Sequence, residues 1–451
     1  MTSILSKKQE IRLSKIFILA LPAILEMSLN TLLGLADTLM ISRIIGTEGL
    51  SAVGFANQIM FTLIFVFSSF NAGATAMTAR SYGEKNYKRI NLIMGQNISL
   101  NLLLGILIAT LSYIFASNIL GVYDISKQVL IYGTDYLKVV SISIPFMFIS
   151  LASSASLRGA GDTKTPMFIT GTANIINILG NYVLMTGYSF FPEMGIAGAA
   201  TATTISRILA SITYIIILIC GKEKIKLFFH NLKMSTNIVR PLWRFSYAAG
   251  VEQLSMQLAF FANGIIISQL ATSSEAAFRI LINIEQISFM PAIGISIATT
   301  TLVGKHLGEN NADESLKTGF SAAGMGALWG IFMGSIFLFF PRLIISVFTT
   351  DPEVLNISIY TLKIAGFNQA PLAFMIIMSG ALRGSGDTKG VMFITAVRLW
   401  IMFVPLSYIF IILLNKGVAG VWYAEFFSFI VFSIVVYRRF KKMKWAEIVM
   451  F

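Results

Sequence analysis

Seven ionisable residues fall inside long apolar stretches of this 451-residue chain: Glu26, Asp37, Arg207, Glu252, Glu285, Arg398 and Glu425. An ionisable side chain in lipid-like surroundings costs about 2.5–3.5 kcal/mol on insertion scales, so each is a candidate for chemistry. Asp37 stands first. Glu26, Asn30 and Asp37 are spaced i, i+4, i+11 and share one helix face. Asn174, Asn177 and Asn181 form a second stripe of helical spacing, and Asn177, Asn181 and Thr203 fall at a depth similar to that of Asp37. A carboxylate ringed by amide and hydroxyl oxygens offers two kinds of chemistry. It could hold a hard cation such as sodium, by the preference for oxygen ligands seen with calcium and magnesium. Alternatively, desolvation would let the carboxyl carry a proton. The candidate ion-binding set is Asp37, Asn177, Asn181 and Thr203, with interhelical hydrogen bonding the alternative role for the last three and no metal expected beyond sodium at Asp37. Glu26, Glu252, Glu285 and Arg398 are secondary ion or substrate candidates, with Glu425 behind them. Arg207 and Arg398 read first as cations that neutralise nearby acids.

These residues need elements to hold them in a membrane. The chain is 56% hydrophobic and 12% charged, against about 25% charged residues in a soluble domain. Apolar stretches of the roughly 20 residues that span a bilayer lie near 16–42, 53–79, 92–116, 136–157, 166–187, 195–219, 241–271, 279–303, 317–341, 358–381, 391–414 and 417–437. The least distinct breaks are 188–194 and 415–416. Of 34 Lys and Arg residues, 25 fall in one alternating set of segments, from Lys7, Lys8, Arg12 and Lys15 through Lys222 and Lys224 to Lys442 and Lys444. Positive residues mark the cytoplasmic side, so both termini are expected there. The expected location is the plasma membrane, as a multi-pass protein. The net charge of +13 is then a topology signal facing anionic lipid, and no nucleic-acid partner is expected. One cysteine, Cys220, and two histidines, His230 and His306, leave no basis for a disulfide, zinc site or haem. No cofactor is expected other than a transported proton or sodium ion, and no enzyme motif is present. His306, in a charged loop, reads as solvated.

The chain also repeats itself. Residues 157–170, LRGAGDTKTPMFIT, return at 382–395 as LRGSGDTKGVMFIT, 11 of 14 positions matching at an offset of 225. Glu26 meets Glu252 at an offset of 226, whereas Asp37 meets Asn263. Gly195, Ala197 and Gly198 answer Gly417, Ala419 and Gly420. The fold class is thus an all-α polytopic membrane protein with twelve transmembrane helices in two pseudo-symmetric six-helix lobes. The expected lobes are 1–220 and 240–451, joined by a basic cytoplasmic linker, 221–239. An even helix number per half makes the repeat parallel, with a central cleft and alternating access by rocking. A carboxylate kept in both halves reads as architectural, and one present in a single half as the better coupling candidate. The LRGxGDTK loops lack the phosphate-binding spacing GxxxxGK[ST] and read as turns with helix N-caps.

These motifs carry a resemblance. The paired LRGxGDTK loops, Ala36-Asp37-Thr38-Leu39-Met40, GIAGAATAT at 195–203, Ser288-Phe289-Met290-Pro291 and Thr301-Leu302-Val303-Gly304 resemble the multidrug and toxic compound extrusion (MATE) family along essentially the whole chain. The resemblance implies a secondary antiporter that expels drug-like, lipophilic or cationic small molecules using a proton or sodium gradient, working as a monomer in the lipid bilayer. It implies that Asp37 is the family's acidic first-helix position, with Asn177 and Thr203 as polar partners. Pro22 fits the bent first helix as a hinge. Asn181 departs from the pattern, since many members carry Asp there. That weakens the sodium reading and leaves Asp37 as the main titrating group. The alternative is a flippase or exporter of a lipid-linked or metabolite substrate in the same superfamily.

Overall fold

The computed structural model describes residues 2–123, 125–188, 191–221 and 225–450. Lys222 and Lys224 of the basic linker, and residues 189–190 of one short loop, lie outside the described residues. Every expected apolar stretch is helical, because in lipid the backbone must satisfy its own polar groups. The helices are α1 (Thr2–Ile44), α2 (Thr47–Gly83, with a turn at Ser69–Phe70), α3 (Tyr87–Ile114), α4 (Lys127–Ser141 and Ile144–Gly159), α5 (Lys164–Thr186), α6 (Gly195–Cys220), α7 (Thr236–Ile267), α8 (Thr272–Gly308), α9 (Ala312–Phe339), α10 (Pro352–Ser385), α11 (Thr388–Leu413) and α12 (Ala419–Lys441). Ten are individually long and apolar enough to cross a membrane. The eleventh, α4, is a pair bent by 49°. The twelfth, α7, has the length but falls short in apolar character, since it carries Glu252, Gln253, Gln257 and Asn263. Ends follow local chemistry. Asn86, Ser126, Asn311 and Asp351 cap the starts of α3, α4, α9 and α10, and left-handed Gly187 and Gly386 close α5 and α10.

Two compact units result. One is Leu25–Arg244; the other joins Met1–Ile24 to Phe245–Met450. The division falls inside α1, just after Pro22, and inside α7, between Arg244 and Phe245. The opening turns of α1 therefore belong to the unit built from most of α7 and from α8 to α12. There Ile16 and Ala20 share a core with Ala292, Ile295 and Ala298 of α8. The approach is close: a Cβ on Gly294 would lie 2.4 Å from Ile24 Cγ1 and 2.9 Å from its backbone nitrogen. The same unit packs α9 on α10 along Gly326, Gly330 and Gly334. A Cβ at Gly330 would lie 2.4 Å from the Gln369 carbonyl oxygen. Small residues four apart let membrane helices touch backbone to backbone.

The α8 helix runs to Gly308, longer than expected. His306 is therefore helical, with a side chain only 13% exposed and Nδ1 at 3.0 Å from Glu309, and not a solvated loop residue.

Candidate cation-binding site

In the Leu25–Arg244 unit, α1 and α5 lie side by side and run in the same direction. Three polar rungs join them, each between residues 144 apart. Thr170 Oγ1 donates to Glu26 Oε1 at 3.2 Å, Asn174 Nδ2 to Asn30 Oδ1 at 3.2 Å, and Asn181 Nδ2 to Asp37 Oδ1 at 2.6 Å. The two stripes expected from helical spacing thus face each other. Asn177 and Thr203 close the site from α5 and α6. In the amide orientation that satisfies both ends, Asn177 Nδ2 donates to Asp37 Oδ1 at 3.1 Å. Its Oδ1 then accepts from the Thr203 hydroxyl and backbone N–H, at 3.1 and 3.2 Å. Asn181 Oδ1 is buried and has no hydrogen-bonding partner. Such an acceptor beside a carboxylate suits a cation or a proton-bearing group, because a buried polar atom left unpaired is costly.

Arg207 of α6 is the basic group within electrostatic reach of Asp37, and its Nη1 donates to Ser143 Oγ at 2.9 Å. Tyr136 also feels both charges and donates to Asn57 Oδ1 at 3.3 Å. Sequence reasoning missed Asn57 and Tyr136. Asn57 could have been found as an amide inside an apolar stretch, whereas nothing in the pattern marks Tyr136.

Glu26 is held differently. Arg158 Nη2, from the first LRGxGDTK motif at the end of α4, donates to Glu26 Oε1 at 2.6 Å, and Thr170 shares that oxygen. The other unit repeats the arrangement: Arg383 Nη2 lies 2.7 Å from Glu252 Oε1, and Thr395 Oγ1 donates to it at 3.1 Å. Each motif arginine therefore anchors the first helix of its half. The motif aspartates cap: Asp162 accepts from the Thr165 N–H and hydroxyl. Asp387 accepts from the Gly390 N–H and from both arms of Arg439.

The second unit has Asn263 where the first has Asp37. Asn263 is buried, and its Oδ1 has no hydrogen-bonding partner. Its acids lie elsewhere. Glu285 of α8 accepts from Gln369 Nε2 at 3.0 Å, and Gln369 accepts from Ser288 at 2.7 Å. Glu425 of α12 lies within electrostatic reach of Glu285. At the offset of 222 set by Gly195 and Gly417, Glu425 is the counterpart of Thr203. Arg398, at the start of a π-helical turn Arg398–Phe403, is buried near Glu425 and Glu252. Its guanidinium lies 4.8 Å from the Phe429 ring centroid. Hinge candidate Pro22 is buried within the unbroken α1.

The MatE family model matches this chain twice, at residues 22–183 and 248–409, with starts 226 residues apart. The chain belongs to the MatE family. Among curated relatives it is 32% identical over 441 residues to "Probable multidrug resistance protein NorM" of Thermotoga maritima, covering 95% of this chain and 92% of the relative. It is 28% identical to "Uncharacterized transporter YisQ" of Bacillus subtilis, covering 98% and 97%. Two solved structures superpose with TM-scores of 0.88. One is an outward-facing multidrug resistance MATE family transporter of the MOP superfamily, 22% identical, covering 96% and 97%. The other is a MOP superfamily transporter from Pyrococcus furiosus described as having a binding pocket of reverse polarity that suggests a different function, 21% identical, covering 97% of each chain. The MatE fold, with its two six-helix halves, is thus shared along the whole length, and the chain is a multi-pass membrane transporter.

Proposed function

We propose that this MatE transporter is a cation-coupled antiporter that exports lipophilic or cationic organic compounds across the plasma membrane by alternating access. Asp37 is its coupling carboxylate, and a proton or sodium ion is the driving ion. The observation that carries the reading is the Asp37 setting: one carboxylate bonded by two amides, with the Asn181 carbonyl oxygen beside it left unpartnered. With the cation absent, Asp37 is the negative partner of Arg207. Loading a proton or sodium ion cancels that charge and weakens the hold of Arg207 on α1. Binding then biases two positions of α1, as a ligand must to shift a conformational equilibrium. Pro22 supplies the pivot. It has no N–H for the Ile18 carbonyl, so α1 bends there at low cost. The rocking bodies are the halves 1–220 and 240–451, joined by 221–239, with both termini cytoplasmic and the protein a monomer. Relatives named as multidrug resistance proteins support the substrate class, and membership of a transporter family supports a protein that is not an enzyme.

The test is dye efflux from vesicles under an imposed proton or sodium gradient, comparing wild type with Asp37→Asn. Loss of gradient-driven transport in the variant is expected. Full gradient-driven transport by Asp37→Asn would overturn the coupling assignment. If wild type moves no cationic dye or drug, the alternative gains: an exporter of a lipid-linked or metabolite substrate.

A further inference from the structure

A cavity of about 240 Å³ opens between the first turns of α1, the end of α8 and the start of α9, all within one unit. Lys8, Arg12, Lys15, His306, Glu314 and Thr318 line it. It is smaller than the roughly 300–1,000 Å³ of sites for drug-sized ligands. Cations dominate. The single lining carboxylate, Glu314, is engaged by Arg12 through Nε at 2.8 Å and Nη2 at 3.2 Å, and Lys317 lies within its electrostatic reach. The nearby Glu309 faces His306 at 3.0 Å and Lys305 at 4.0 Å. Lys8 and Lys15 are exposed on α1. At the wall of the cavity, the Thr318 hydroxyl is fully buried and has no hydrogen-bonding partner. A donor without an acceptor, among surplus cations, awaits an anionic oxygen.

The cavity is continuous with an apolar stripe. Ile11 lines it and is 50% exposed, and Ile18 and Leu21 follow on the same helix face at i+7 and i+10, 56% and 40% exposed. A free anion makes no use of that stripe, whereas an acyl chain lies along it.

We propose that this cavity binds the phosphate of an anionic phospholipid of the leaflet next to the α1 N-terminus, with Lys8 and Lys15 contacting the phosphate, the Thr318 hydroxyl turning out of the cavity wall to donate to it, and the lipid tail following Ile11, Ile18 and Leu21. Arg12, held by Glu314, positions the two turns of α1 that carry the lysines. Lipid here ties α1 to α8 and α9 on the N-terminal side of Pro22, away from Asp37.

The experiment uses the full chain, purified and delipidated in detergent. Short-chain phosphatidylglycerol, short-chain phosphatidylcholine and inorganic phosphate are each titrated, with the thermal midpoint and native mass spectrometry as readouts. Wild type should bind one phosphatidylglycerol in preference to phosphatidylcholine, and millimolar phosphate should leave the midpoint unchanged. Lys8→Gln/Lys15→Gln should bind about thirtyfold more weakly, from the contribution of each basic residue near an anionic headgroup. Thr318→Val should weaken binding severalfold, while Asp37→Asn should bind like wild type. Wild-type affinity in both the lysine pair and Thr318→Val would overturn the site. Equal stabilisation by inorganic phosphate would overturn the lipid assignment and leave a free-anion site. The lysine variant changes only exposed side chains, so its folding is secure if the valine variant does not express.

Discussion

Glu26 and Asp37 stand eleven residues apart on one helix and differ in what holds them. Glu26 is clamped by the Arg158 guanidinium, whereas Asp37 has amide donors and a carbonyl oxygen left open beside it. Removing one partner of a buried pair strands the other charge at a cost of about 3–5 kcal/mol. Glu26→Gln and its repeat counterpart Glu252→Gln should therefore each lower the thermal midpoint strongly. Asp37→Asn should leave the midpoint near that of wild type while uncoupling transport. Thermal unfolding in detergent, read beside the efflux assay, checks this, and equal destabilisation by Asp37→Asn and Glu26→Gln would sink the distinction. Much of the Asp37 setting was legible in the sequence. Helical spacing aligned Asn174, Asn177 and Asn181, and the repeat showed that Asp37 lacks a carboxylate counterpart. The Arg158 and Arg383 anchors were not legible, because each partner lies more than 130 residues away, in a motif that reads from the sequence as a turn but forms the last helical turns of α4 and α10.

At the scale of elements, α9 and α10 meet through glycine. Gly330 cannot accept a side chain without displacing the Gln369 carbonyl and Ala370, whereas a Cβ at Gly324 meets nothing within 4 Å. Gly330→Leu should sharply reduce the yield of monodisperse protein, with Gly324→Leu close to wild type, as read by size-exclusion chromatography of a fluorescent fusion. Comparable yields from the two variants would contradict close packing of α9 on α10. A second element-level contact is the Asp387 side chain, which caps α11 through Gly390 and receives both arms of Arg439 from α12. Asp387→Ala removes a cap worth about 0.5–2 kcal/mol together with that fork, so the midpoint should fall. Asp387→Asn should keep most of the cap but not the charge. The sequence placed the helices well and their irregularities poorly. The small-residue spacing of α9 was present but does not say which helix it meets. The π-turn at Arg398–Phe403 arises just before Pro405, which offers no N–H to the Ile401 carbonyl and lets the ladder widen. A hydropathy scan averages over such a change.

At the scale of the molecule, the rungs between helices speak to topology. Pairs 26–170, 30–174 and 37–181 keep one separation, so α1 and α5 cross in the same sense. In the other half, Thr395 bonds Glu252 and Trp400 bonds Ser255, separations of 143 and 145, so α7 and α11 do likewise. A missed or surplus crossing between either pair would have made the partners antiparallel, and the separations would then change from rung to rung. Relative direction is therefore fixed by the contacts. Absolute direction is not, since a helix pair reads the same from either side of a membrane. It rests on the basic residues, which prefer the cytoplasmic side. The two arguments together give a sharp expectation. In a Cys220→Ser background, Lys8→Cys and Lys444→Cys should react with a membrane-impermeant maleimide only in inverted vesicles. Val122→Cys and Val347→Cys, both highly exposed beyond the C-terminal ends of α3 and α9, should react only in intact cells. Labelling of Val122→Cys and Val347→Cys from opposite sides of the membrane would break the parallel repeat. A clean reversal, with Lys8 and Lys444 reached from outside and the two valine positions from inside, would keep every helix contact and overturn only the sidedness. The direction assigned to export would then reverse with it.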